Sequence, residues 1–116
     1  MTAVGDLEPE DIMGAVTTML AHPDFHPDFA GVVDIRQGRI RADLEETQRI
    51  AAFVVKHRQD TEARWAYLVT EPRSTAMTTY YGQLIEQKHP ARVLYTVEAA
   101  SDYIGVELSD LLEETF

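Results

Sequence analysis

The sequence predicts an α/β fold, with helices and strands alternating through a single domain over residues 1–116. Two observations carry this. Short segments rich in β-branched and aromatic residues, at 31–35, 64–70 and 92–95, are separated by longer stretches with apolar residues at helical spacing. Proline and glycine fall at the junctions, as in Glu71-Pro72, His89-Pro90 and Gly105. Alternation of this kind implies a largely parallel sheet, because each helix must bury its apolar stripe against the strands it connects.

The elements follow in order. Glu8-Pro9-Glu10-Asp11 reads as a helix start, with proline in the first turn and carboxylates at the positive end of the dipole. Ile12, Val16, Met19 and Leu20 then recur on one face, and His22-Pro23 stops the helix. Residues 23–29 read as an extended loop and Gly31–Ile35 as a buried strand. Arg36 to Arg41 reads as a loop. Asp43 and Glu46 then form a capping box for a second helix that buries Leu44, Ile50, Ala51 and Val54.

Lys56-His57-Arg58 suits the C-terminus of that helix, since cations favour the negative end of the dipole. A second strand is expected over Arg64–Thr70, broken by Glu71-Pro72-Arg73. Ser74 or Thr75 is the expected cap of a third helix with Met77, Tyr81, Leu84 and Ile85 on its face. Arg92–Tyr95 reads as a third strand, and Thr96 caps a helix carrying Ala99, Ala100, Tyr103 and Ile104 that breaks at Gly105. The expected order is α-β-α-β-α-β-α. An acidic extension over about 106–116 places Leu108, Leu111, Leu112 and Phe116 on one helical side, to cover the chain's own sheet or a partner.

Composition narrows the function classes. The net charge is −10, and all ten basic residues lie between Arg36 and Arg92, so both ends are acidic and the middle mildly basic. Such a field repels phosphate backbones and acidic lipid surfaces, so neither nucleic acid nor stable membrane insertion is expected. With no cysteine there is no thiol nucleophile or disulfide framework, which fits a cytoplasmic location. No Gly-rich phosphate loop, Gly-x-Ser-x-Gly elbow or His-Glu-x-x-His helix occurs, and the expectation is a protein that is not an enzyme and has no cofactor.

Several segments together resemble a known family. They are Val4-Gly5-Asp6-Leu7 before the first helix, His22-Pro23-Asp24-Phe25, and Val32-Val33-Asp34-Ile35-Arg36. The Tyr80-Tyr81 helix and Arg92-Val93-Leu94-Tyr95 before Ala99-Ala100-Ser101-Asp102-Tyr103-Ile104 complete the pattern. Over roughly residues 5–105 the chain resembles the small bacterial SpoIIAA-like proteins, grouped with STAS and SEC14-type domains. The resemblance implies a mixed or mostly parallel sheet of about four strands flanked by helices. It also implies a strand or hairpin before the first helix, where only Thr2 to Leu7 is present, so one strand is expected to be shortened or missing. Dimerisation is one way to cover the resulting edge. Related anti-sigma-factor antagonists carry a phosphorylatable serine where this chain reads Ala42-Asp43-Leu44-Glu45, so no serine phosphoswitch is expected.

The most functional-looking constellation is Arg36, Arg39, Arg41 and Arg73, with Ser74 and Thr75. Both of their loops are expected to leave the sheet at strand C-terminal ends, where α/β folds bind ligands. Arginine grips oxyanions with paired bonds and a helix N-terminus adds amide donors, so a small anionic or lipid-like ligand fits there. The competing reading pairs these arginines with surface carboxylates.

His22, His26, Asp24 and Asp28 read as a structural loop and not as a metal site. Trp65, Tyr67, Tyr80, Tyr81 and Tyr95 read first as core and second as the lining of an apolar pocket. Asp34 and Glu71 are the acids to examine for general acid–base chemistry. The leading expectation is a non-catalytic regulatory or protein-interaction module of the SpoIIAA-like type, a homodimer with an unidentified protein partner. The alternative is a carrier or sensor of a small anionic ligand using the Arg36–Arg41 and Arg73–Thr75 loops.

Overall fold

A computed structural model describes residues 2–108. Four strands and four helices alternate as β1 (Thr2–Leu7), α1 (Pro9–Ala21), β2 (Gly31–Ile40), α2 (Leu44–His57), β3 (Trp65–Leu68), α3 (Pro72–Ile85), β4 (Ala91–Leu94) and α4 (Val97–Ile104). The sheet has the order β1-β2-β3-β4 and every pairing is parallel, so the mixed alternative does not apply. Residues 109–116, which carry most of the expected acidic extension, lie outside the described residues.

Helix capping follows local sequence closely. The Asp43 carboxylate accepts the Glu46 amide at 2.7 Å while the Glu46 side chain accepts the Asp43 amide at 3.1 Å, closing the expected box on α2. Thr96 accepts the Ala99 amide at 3.1 Å, and Gly105 ends α4 in the left-handed conformation at φ 85°. The cap of α3 differs from expectation. Glu71, not Ser74 or Thr75, is the N-cap, with Pro72 at the first helical position.

Two further corrections concern strands. Thr2–Leu7 is a full strand that pairs with β2, so the chain begins with β and not α. Its partner is the segment expected to be the Arg36–Arg41 loop, of which Arg36 to Ile40 continue β2. Between the pairs Thr2↔Asp34 and Val4↔Gln37, β1 advances two residues and β2 three. The extra residue is a bulge, and it inverts the side-chain alternation of β2. Ile35 and Ile40, an odd and an even position, therefore join the same core cluster. That inversion hides the strand from a period-2 reading.

The sheet is covered on both faces. On one, Val33, Ile35 and Val93 pack with Ile12 and Met13 of α1, Ile50 of α2, and Met77 and Tyr81 of α3. On the other, Val32, Ala66 and Leu68 pack with Ala100, Val97 and Ile104 around α4, joined by Leu108 just beyond it. The extension therefore begins against the chain's own sheet. α1 is the least embedded of the three helices on its face: Pro9 is its single buried residue, and Ile12, Val16 and Met19 are half-buried. The space left beneath it is the basis of the site described next.

Candidate functional site

The structure brings the two predicted anion-binding segments together but engages their donors internally. Ser74 Oγ accepts the Ile40 amide at 2.9 Å, which joins the end of β2 to the start of α3. The Ser74 amide donates to the Glu71 carboxylate at 2.6 Å, and Thr75 Oγ1 donates to the Glu71 carbonyl at 2.9 Å. The Ser74 amide and hydroxyl together hold the Glu71 carboxyl below the usual carboxylate range. A carboxylate of the chain thus occupies the helix N-terminus where an anion was expected.

The arginines meet carboxylates of the chain as well, and the Arg39 charge contributes to lowering the Glu71 pKa. Arg36, a strand residue, forms a two-pronged pair with Asp34, Nε to Oδ1 at 3.0 Å and Nη2 to Oδ2 at 2.8 Å. Burial pushes the Asp34 carboxyl up, but the Arg36 side-chain and backbone hydrogen bonds outweigh it and hold the group below its ordinary value. Arg41 Nε stands 3.4 Å from the Asp6 carboxylate. Arg39 and Arg73 are exposed. The two acids considered for proton transfer, Asp34 and Glu71, are thus an ion-pair partner and a helix cap.

The loop of residues 22–30 is ordered by two matching turns that the sequence signals as a tandem His-Pro-Asp-Phe. In each, the histidine Nδ1 accepts the amide of the aspartate two residues on, at 3.1 Å, and the histidine carbonyl accepts the phenylalanine amide at 3.0 Å. Proline at the second turn position suits this geometry. Among the described residues no cluster of three or more metal-ligating side chains forms.

A different place in the fold has the features of a binding site. Between α1, α2, α3 and the sheet lies a partly enclosed cavity of about 140 Å³. Its walls are almost wholly apolar: Val33 and Ile35 of β2, Ile50 and Val54 of α2, and Ile12 and Val16 of α1. Asp11, Thr47 and Thr78 also reach it, and three larger polar side chains break the lining. Tyr67 of β3 and Tyr81 of α3 meet edge to face with ring centroids 5.8 Å apart. Burial pushes both hydroxyls up in pKa, so both are neutral at ordinary pH.

The third is Arg58, at the C-cap of α2. Its amide donates to the Val54 carbonyl at 2.9 Å, and its side chain, 6% exposed, lines the cavity. The guanidinium stacks on the Trp65 ring at 4.8 Å, but Nε and Nη2 are buried with no hydrogen-bond partner among the described residues. Burial draws its pKa down and the two tyrosine hydroxyls act in the opposite direction. A guanidinium nonetheless keeps its proton. Cation–π stacking of a desolvated pair is worth about 2 kcal/mol, against several kcal/mol for burying an ion. The site therefore holds a buried positive charge that its own residues compensate only in part.

His89 belongs to the same region. It is fully buried, neither ring nitrogen has a hydrogen-bond partner among the described residues, and burial followed by the Arg58 charge lowers its pKa. It is therefore a neutral imidazole at neutral pH. Trp65 is itself fixed from below: Nε1 donates to the Phe29 carbonyl at 3.1 Å, and its ring lies where a side chain on Gly31 would stand.

Sequence reading assigned Arg58 to the helix dipole and the tyrosines first to core. The signal for the cavity was present in the pairing of a basic residue at a helix end with aromatic residues on β3 and α3. Their convergence, however, depends on the sheet. No helix among the described residues is long and apolar enough to cross a membrane. No family model, curated protein or solved structure matches the chain.

Proposed function

We propose that the chain is a non-catalytic binding module, a carrier or sensor that holds a small, largely apolar molecule in the cavity beneath α1. The observation that carries this reading is the cavity of about 140 Å³ walled by aliphatic and aromatic side chains. Apolar cavities near 150 Å³ stay dry and accept ring-sized molecules such as benzene. The loosely embedded α1 supplies a route of entry, since an element with few buried side chains opens at small free-energy cost. The commitment of Asp34 to Arg36 and of Glu71 to the α3 cap favours binding over proton-transfer chemistry.

The test is ¹⁹F NMR of the neutral probe 4-fluorotoluene titrated with the protein. Binding to the wild type, lost when Val16→Phe fills the cavity from α1, supports the reading. Absence of any line broadening or shift at millimolar protein, with this probe and with its carboxylate counterpart 4-fluorobenzoate alike, would exclude it.

A second reading, a SpoIIAA-like regulatory module acting as a cytoplasmic homodimer, draws support from β1. It is an edge strand, and Val4 on it is 61% exposed. Exposed apolar edges are pairing sites unless something covers them. Light scattering across a concentration series, with Val4→Lys as comparison, tests this: a dimer that dissociates in the variant favours it and a monomer at all concentrations removes it.

A further inference from the structure

The charge buried in the cavity narrows the ligand class, an inference that rests on the binding-module reading above. We propose that the cavity selects a small monocarboxylate with a compact apolar body, of about benzoate's size, whose carboxylate pairs with the buried Arg58 guanidinium.

Three independent features of the site converge on this chemistry. The first is volume, since about 140 Å³ admits a ring or a short branched chain and little more. The second is Arg58 itself, 6% exposed, with Nε and Nη2 lacking any hydrogen-bond partner among the described residues. A guanidinium presents its donors in a planar fork that matches the two oxygens of a carboxylate. The third is the tyrosine pair: Tyr67 and Tyr81 line the same cavity with hydroxyls that hydrogen-bond each other, which leaves one O–H of the pair for an oxygen anion, while Trp65 backs the guanidinium and holds it in place. A cationic ligand would face Arg58 across a low-dielectric wall and be rejected. A neutral ligand of the same shape would leave the buried charge uncompensated.

Among the described residues no acidic side chain is hydrogen-bonded to Arg58 Nε or Nη2, although the chain has twenty acidic side chains. Asp11, which lines the cavity from α1, instead has its Oδ2 on the Glu8 amide at 3.0 Å, where it closes the first turn of the helix.

The experiment compares two related probes on the intact chain by ¹⁹F NMR. 4-Fluorobenzoate carries the carboxylate and 4-fluorotoluene replaces it with a methyl group. The wild type is expected to bind 4-fluorobenzoate at least about tenfold more tightly, as a charge-assisted pair in a dry site requires. Arg58→Met keeps the aliphatic bulk and removes the charge; it is expected to lose that preference while still binding 4-fluorotoluene, which also shows that it folds. Arg58→Lys is expected to retain a weakened preference. If the wild type binds both probes equally, or Arg58→Met keeps the benzoate preference, the carboxylate assignment is overturned and the cavity reading stands. If neither probe binds the wild type, both fall together.

Discussion

Arg36 grips Asp34 through two bonds, Nε to Oδ1 at 3.0 Å and Nη2 to Oδ2 at 2.8 Å. Asp34 is almost completely buried, so the pair neutralises a carboxylate that water does not reach. What looked like one arm of an anion site is a structural clasp made by the chain's own acid.

Removing one partner of this clasp is predicted to cost much more than removing both. Arg36→Ala leaves the Asp34 charge buried and should destabilise the fold by about 2–4 kcal/mol. The Asp34→Ala/Arg36→Ala double variant should be clearly less destabilised than the sum of the single changes. Urea denaturation of the four proteins measures the coupling, and strict additivity would show that the pair is not linked.

Opening the α3 N-terminus provides a direct check on the predicted anion site. Glu71→Gln removes the capping charge beside Ser74, while Arg39 and Arg73 stay in place. The variant should melt below the wild type in dilute buffer and recover part of the difference in phosphate, because an exogenous anion then takes the vacated amides. The wild type should show no such selective gain. A phosphate shift of equal size in both proteins would return the site to the arginine segments.

His89 predicts an acid-sensitive fold. Its pKa is lowered in the native state by burial and by Arg58, so the unfolded chain binds the proton more readily. The stability associated with neutral His89 is complete above the ordinary histidine value of about 6.5 and is lost as pH falls from there through the lowered native value. Asp34, whose native pKa is also lowered, adds a second loss that begins only near the ordinary carboxylate range. His89→Phe should flatten the stability profile in the first window and leave the second intact. Chemical denaturation at stepped pH from neutrality down to about 3 separates the two.

Gly31 tests the base of the cavity. A side chain at that position would stand 2.5 Å from the Trp65 ring, so Gly31→Ala forces the indole to move. Overpacking of this kind costs about 1–3 kcal/mol. Because Trp65 is the sole tryptophan and stacks on Arg58, the displacement should also shift the intrinsic emission spectrum. An unchanged spectrum would mean that the ring does not occupy the space above Gly31.

Leu108 decides how far the C-terminal extension belongs to its own core. It is 8% exposed, packs with Val32, Ala66, Leu68 and Ala100, and its amide donates to Ser101 Oγ at 3.1 Å. Leu108→Ala should destabilise the monomer by about 2–4 kcal/mol, as burial against its own sheet requires. A loss of self-association with unchanged monomer stability would place that side chain at an interface between copies.

The sequence by itself determined the features whose causes lie within one helical turn. Asp43 with Glu46, Thr96 with Ala99, and Gly105 set helix boundaries through groups three or four residues apart, and the structure has them where local pattern put them. Alternation of helical and strand segments was likewise enough for a sheet layered with helices. Tertiary structure decided whatever depended on distant partners. β1 and the second half of β2 exist because they pair with each other, across a bulge that scrambles the period-2 signal. Ser74 is diverted from capping because its hydroxyl accepts an amide from Ile40, thirty-four residues earlier. Arg58, which local sequence offers only as a cation at a helix end, becomes the buried charge of a cavity. That happens because β3 and α3 bring Trp65, Tyr67 and Tyr81 around it. Local hydrogen bonds can be read along the chain; a site assembled from three elements requires the packing that brings them together.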